Sequence, residues 1–219
     1  MGIESISLRR SIGYPGMLVL LCSWLLAVSF VKEGTSLASG VSAAYFLILG
    51  TGLFVATSRS QFRSWAVAGA VAFAVVNLIL SFYGRGAGSI VAMLNMLYVG
   101  AVPVIVLRDV LTAPRVTGST IVGAVNAYLL MGIGWGLLFT VIETLAPGSF
   151  RFAGDATGKI TDLYYFSFTT LTTLGYGDMT PVSVPARSMA IAEALAGQLY
   201  LVVLVARLVS VHASGESSE

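Results

Sequence analysis

Long apolar runs, broken by a few charges and turn formers, constrain this chain more than any other feature. A bilayer core of about 30 Å requires about 20 mainly apolar residues in a helix. Six runs approach that length: Met17 to Val31 (extendable back through Ile12), Val41 to Thr57, Ser64 to Tyr83, Ser89 to Leu107, Ser119 to Leu145 and Ala186 to Val211. The first two are short for a span. Composition points the same way, with 57% hydrophobic and 10% charged residues, whereas a soluble domain needs about a quarter of its residues charged. The reading is a multi-pass, all-α membrane protein seated in a lipid bilayer, with six transmembrane helices.

The breaks carry the charges: Lys32-Glu33-Gly34, Arg59, Arg63, Gly84-Arg85-Gly86, Arg108-Asp109 and Pro114-Arg115. If both termini are cytoplasmic, Arg9, Arg10, Arg59, Arg63, Arg108, Arg115 and Arg207 lie inside. Lys32, Arg85, Arg151, Lys159 and Arg187 then lie outside. The positive-inside rule favours this orientation. Arginine-rich, lysine-poor usage points to a bacterial cell (inner) membrane. Arg9 and Arg10 before an apolar run also resemble a secretory leader, but Lys32 and Glu33 stand where a small-residue cleavage site would be. That favours a retained first helix.

Several function classes drop out. A net charge of +2 with no basic run gives no nucleic-acid partner. One cysteine and one histidine leave no intrachain disulfide, no histidine metal centre and no histidine-based triad. Cys22, within an apolar run, reads as a buried inert thiol. There are no paired intramembrane acids and no nucleophile motif, so neither an enzyme nor a cofactor is expected. An integral-membrane enzyme or transporter is the outlying alternative.

The stretch from Ala146 to Pro185 departs from the pattern. It begins polar, with Arg151, Asp155, Thr157, Gly158 and Lys159. A short aromatic and threonine-rich helix from about Thr161 to Thr172 follows, too short to span. It ends in Thr173-Leu174-Gly175-Tyr176-Gly177-Asp178. This reads as a re-entrant pore helix and loop between helices five and six. Irregular backbone at membrane depth survives only where protein buries it or where it lines a water-filled path.

The glycine spacing in that loop has a physical reading. A dehydrated cation needs its hydration oxygens replaced, and a ring of backbone carbonyls can do this. Successive inward carbonyls require alternating backbone conformations, which glycine accepts at positive φ. Gly175 and Gly177 stand where that geometry needs them, and Thr173 can add a hydroxyl ring. One chain supplies one loop while such a ring takes four, so the expected unit is a homotetramer. The preceding helix would aim its partial negative C-terminus at a central cavity and favour a cation there.

The stretch Ile160-Thr-Asp-Leu-Tyr-Tyr-Phe-Ser-Phe-Thr-Thr-Leu-Thr-Thr-Leu-Gly-Tyr-Gly-Asp-Met-Thr-Pro181 resembles the pore helix, filter and exit of the potassium channel family. Bacterial two-helix pore proteins are the nearest likeness, and it covers about Ser119 to Val211. The resemblance implies a potassium-selective filter in which Thr173, Leu174, Gly175, Tyr176 and Gly177 coordinate the ion, with K+ held at the first four. It implies passive conduction, with a weakly selective cation pore as the alternative. Gly197 falls at that family's inner-helix hinge, and Arg187 starts the inner helix. Two departures stand out. Tyr165 and Phe166 replace a pair of tryptophans, and Leu174 stands where Val or Ile is usual. Tyr165 is expected to brace Asp178 through its hydroxyl, and Thr172 and Glu193 are further expected supports of the filter.

Other residues have two readings each. Glu193, inside the sixth run, is either hydrogen-bonded to Thr169 or Thr170 or else protonated or snorkelling. Gly197 either hinges the inner helix or permits close packing, and Gly132, Gly134 and Gly136 give either packing or flexibility. Gln198 is a candidate for lining the cavity. A voltage sensor needs arginines at every third position of a span. The fourth run has none before Arg108, and its notable residues are Asn95 and Pro103. Strong voltage gating is therefore not expected. The domain reading is a four-helix membrane domain over 1–116, a pore domain over 117–212 and a short cytoplasmic tail over 213–219.

Overall fold

A computed structural model describes residues 2–30, 88–111, 117–153 and 160–216, with further helical turns within 44–55 and 68–79. In chain order the elements are α1 (Gly2–Phe30), α2 (Gly88–Leu111), α3 (Gly118–Leu145), β1 (Phe150–Phe152), α4 (Ile160–Leu171), β2 (Met179–Pro181) and α5 (Val184–Glu216). Among the described residues, three helices are long and apolar enough to cross a membrane, over Ser11–Phe30, Gly118–Leu145 and Val184–Arg207. The expected fourth run lies in α2, with Pro103 inside it and Arg108 in its last turn. The expected runs at Val41 to Thr57 and Ser64 to Tyr83 are described only in part, and their remaining residues lie outside the described ones. So do Lys32, Arg59, Arg63, Arg85, Arg115, Asp155, Lys159 and the last three residues of the tail. The C-terminal helix continues past its apolar run to Glu216.

The chain divides into two compact units, Met1–Ala127 and Tyr128–Glu219, so the division falls within α3. In the first unit α1 buries Tyr14, Met17, Leu21 and Trp24, a spacing of three and four residues that makes one helical face. Cys22 is exposed, contrary to the expectation of a buried thiol. It sits one residue past Leu21, about 100° around the helix from the packed face, so its apolar neighbours are the outward ones. Tyr14 carries two polar contacts. Its hydroxyl donates to Asp109 Oδ2 at 2.6 Å, and its carbonyl accepts from Asn126 Nδ2 at 2.8 Å.

In the second unit α4 packs between α3 and α5. The glycines of α3 make this possible. A Cβ at Gly132 would lie 2.6 Å from the Phe168 ring, and one at Gly136 would run into the ring of Tyr164. Close packing is therefore the role of these two. Around the N-terminal half of α4, Phe139, Phe150, Leu163, Phe166, Met179 and Ala186 form one buried cluster. Phe139, Phe150 and Phe166 meet edge to face, with centroids 5.1 to 5.4 Å apart, the arrangement their ring quadrupoles favour.

The all-α expectation needs one amendment. β1 and β2 pair antiparallel, with Phe150 opposite Pro181, Arg151 opposite Thr180 and Phe152 opposite Met179. The alternation Phe150-Arg151-Phe152 buries its two aromatic side chains more deeply than the arginine between them, as a strand on a core edge does. Glu143, near the end of α3, accepts from the backbone N–H of Gly148 at 2.8 Å and of Phe150 at 3.1 Å. It thereby folds the Pro147-Gly148 turn, where Gly148 has φ 85°, back onto the helix.

Candidate functional site

The loop that leaves α4 carries the geometry its sequence calls for. Gly175 has φ 48° and Gly177 φ 79°, and Thr173 joins them at φ 59°. Left-handed residues thus occupy every second position of the 173–177 loop, with Leu174 and Tyr176 between them. The glycines enter that region freely. Thr173 is the surprise, because a β-branched residue resists positive φ. Its backbone is held by an N–H donated to Thr170 O at 3.0 Å, and Gly175 N donates to Thr169 O at 3.1 Å. The last turn of α4 therefore serves as the template for the first half of the loop.

Thr172 donates its hydroxyl to Phe168 O at 2.6 Å, and its N–H to the same oxygen at 3.1 Å. It closes the helix. One carbonyl freed at the helix end, that of Leu171, accepts from the Tyr128 hydroxyl of α3 at 3.1 Å, which answers the usual deficit of partners at a helix C-terminus. Side chains 172 to 178 are all exposed on the single chain, Leu174 and Tyr176 among them.

The far end of the loop is tied down at Asp178. Tyr165 donates its hydroxyl to Asp178 Oδ2 at 2.8 Å, the contact expected from the sequence. That bond raises the phenol above its ordinary pKa. Asp178 Oδ1 also accepts from Met179 N at 3.1 Å, and Asp178 O accepts from Ala153 N at 2.9 Å. The last contact extends the β1–β2 ladder to the end of this loop. Arg187, at the start of α5, donates from Nε to Pro181 O at 3.3 Å.

Behind α4 lies Glu193, fully buried on α5. Its partner is Ser167, not Thr169 or Thr170. Ser167 Oγ lies 2.5 Å from Glu193 Oε1 and 2.7 Å from Gly132 O. Thr169 instead donates to Phe166 O at 2.9 Å, so its hydroxyl is spent within its own helix. Ser167 is buried two residues before it and faces α5. One turn beyond Glu193, Gly197 meets the end of α4. A Cβ there would lie 2.6 Å from Leu171 O and 2.9 Å from Leu171 Cδ1, which makes close packing its structural role here. Gln198 is exposed on the single chain. Among the described residues no group of three or more His, Cys, Asp or Glu is placed to hold a metal ion.

Sequence reasoning missed three contributors: Tyr128, Ser167 and Glu143. A carboxylate just before a Pro-Gly turn was a readable signal for Glu143. A lone tyrosine and a lone serine on apolar helices give no such signal until the helices are packed.

Comparison with known proteins is consistent with this arrangement. A family model described as Ion channel matches residues 137–213. Protein LctB of Bacillus caldotenax is 34% identical over 90 residues, which is 39% of this chain and 66% of that protein. Protein LctB of Geobacillus stearothermophilus gives the same identity and coverage. Two pore potassium channel c of Oryza sativa subsp. japonica is 33% identical over 84 residues, 38% of this chain and 17% of that protein. Residues 137–213 thus match an ion channel family, and part of the chain is similar to a potassium channel. The likeness spans just under two thirds of the LctB proteins and a small part of the rice channel. No solved structure matches the chain.

Proposed function

We propose that the chain is one subunit of a homotetrameric, potassium-selective channel that conducts K+ passively across a bacterial inner membrane. The observation that carries this reading is the run of left-handed backbone at Thr173, Gly175 and Gly177 in a loop held by a helix too short to span. Four such loops around an axis would present rings of carbonyls at Thr173, Leu174, Gly175, Tyr176 and Gly177, with K+ held at the first four positions. Each ring substitutes for hydration oxygens, and repulsion between ions in adjacent sites drives throughput. Conduction makes and breaks no covalent bond, and no cofactor takes part.

The exposure of Leu174 and Tyr176 on the single chain supports the tetramer, because apolar side chains at the filter need neighbouring copies to cover them. Tyr165, Asp178 and Thr172 support the filter from within each subunit, and Gln198 lines the cavity. Both termini face the cytoplasm, which puts the filter's exit and the β1–β2 hairpin on the outer side. Opening depends little on voltage, since α2 lacks the arginine ladder a sensor requires.

Planar-bilayer recording of the purified full chain, under opposing K+ and Na+ gradients, tests the reading. A reversal potential near the K+ equilibrium value is expected. A value near zero would make the pore a weakly selective cation channel, and no flux in bilayers or liposomes would refute conduction altogether.

A further inference from the structure

Counting protons around Ser167 leads to a state of Glu193. Ser167 Oγ lies within hydrogen-bond distance of two oxygens, Gly132 O at 2.7 Å and Glu193 Oε1 at 2.5 Å. A serine hydroxyl carries one proton. The Gly132 carbonyl can only accept, so the serine proton serves that bond. An ionised carboxylate also only accepts, which would leave two acceptor oxygens facing each other without a proton. The second contact is a hydrogen bond only if the carboxyl itself donates.

The rest of the site agrees. Glu193 is fully buried, and among the described residues its Oε2 has no hydrogen-bond partner. As a carboxylate it would leave a charged oxygen orphaned in a dry interior, the costliest arrangement a buried polar group can have. As an acid, the orphan is a neutral carbonyl oxygen. Among the described residues no Lys or Arg is paired with it, and the neighbouring titratable group is the Tyr128 phenol on α3. That hydroxyl is already committed to Leu171 O.

We propose that Glu193 carries its proton at neutral pH and donates it in a relay, Glu193 to Ser167 to the Gly132 carbonyl. The relay pins the inner helix, the pore helix and the outer helix together behind the filter. Glu193 is thus a positioning residue. It touches no ion and acts through α4, whose last turn templates the filter. Its effect on conduction rests on the channel reading above, whereas its protonation does not.

The experiment has two arms on the reconstituted full chain. The first is infrared difference spectroscopy of wild type against Glu193→Gln at neutral pH. A protonated-acid C=O band present in wild type and lost in the variant is expected. A difference confined to carboxylate bands would overturn the proposal whether or not the protein conducts. Solid-state NMR of wild type labelled with 13C-glutamate reads the same state without a variant. One protonated side-chain carboxyl is expected, and its absence refutes the proposal.

The second arm is single-channel recording at low external K+. Glu193→Gln retains a donor and should stay within about twofold of the wild-type inactivation rate, whereas Glu193→Ala and Ser167→Ala should inactivate about tenfold faster. Equal acceleration by the Gln and Ala variants would show that donation is not needed and would overturn the relay.

Discussion

Thr173 is held at φ 59° although its side chain branches at Cβ. That conformation costs roughly 1–2 kcal/mol in an ordinary residue. It persists because the Thr173 and Gly175 N–H groups are bonded to carbonyls of the last turn of α4. The glycines at 175 and 177 avoid the cost. Gly177→Ala should therefore destabilise the filter by about 1–2 kcal/mol and shift the reversal potential toward that of Na+. Bi-ionic recording checks this. Tyr165→Phe removes the hydroxyl that reaches Asp178 at 2.8 Å. Conduction should survive, with severalfold faster inactivation read from macroscopic current decay, and unchanged decay would leave the bond without a role. Gly197→Ala places a methyl 2.6 Å from a backbone oxygen. It should lower thermal stability by about 1–3 kcal/mol, whereas a purely hinging glycine would change open probability at unchanged stability.

Among the elements, α4 depends on two joints. One is the groove that Gly132 and Gly136 open on α3. Gly136→Ala drives a Cβ into the Tyr164 ring and should destabilise the fold by about 1–3 kcal/mol, read as a lower detergent melting temperature. The other joint is the β1–β2 ladder, which reaches Asp178 through Ala153 N. Glu143 anchors it by two backbone N–H groups. Glu143→Ala should cost about 1–2 kcal/mol and speed amide hydrogen exchange at Gly148 and Phe150 without altering ion selectivity. The helices themselves were readable as apolar runs, and α3, α4 and α5 begin within a few residues of the expected positions. The short sheet was not readable. Three residues of alternation at Phe150–Phe152 are too few to separate a strand from a loop, and the pairing strand lies beyond the filter in sequence.

For the whole molecule, the chain supplies one loop, and the carbonyl-ring pore proposed above needs four. Native mass spectrometry in mild detergent should give a tetramer, and a monomer that still conducts would contradict the carbonyl ring. The helices that precede the pore carry no arginine ladder in α2. Open probability should accordingly change little between about −100 and +100 mV, at roughly the weak dependence expected for less than one gating charge.

What the sequence determined by itself is whatever depends on local chemistry. Apolar runs dictate membrane helices because lipid offers the backbone no hydrogen bonds. Alternate glycines dictate the loop, because only they enter positive φ without cost. The Tyr165–Asp178 brace was also legible, through its spacing on a resembling motif. Tertiary structure alone decided which partners the buried polar groups take. Glu193 chose Ser167 over the threonines two and three residues further along, since Thr169 bonds within its own helix and Ser167 faces α5. It also settled that Cys22 looks outward and that Gly197 meets Leu171. Such choices turn on the rotation of one helix against another. A single residue's step of about 100° reverses them, and no local pattern encodes that angle.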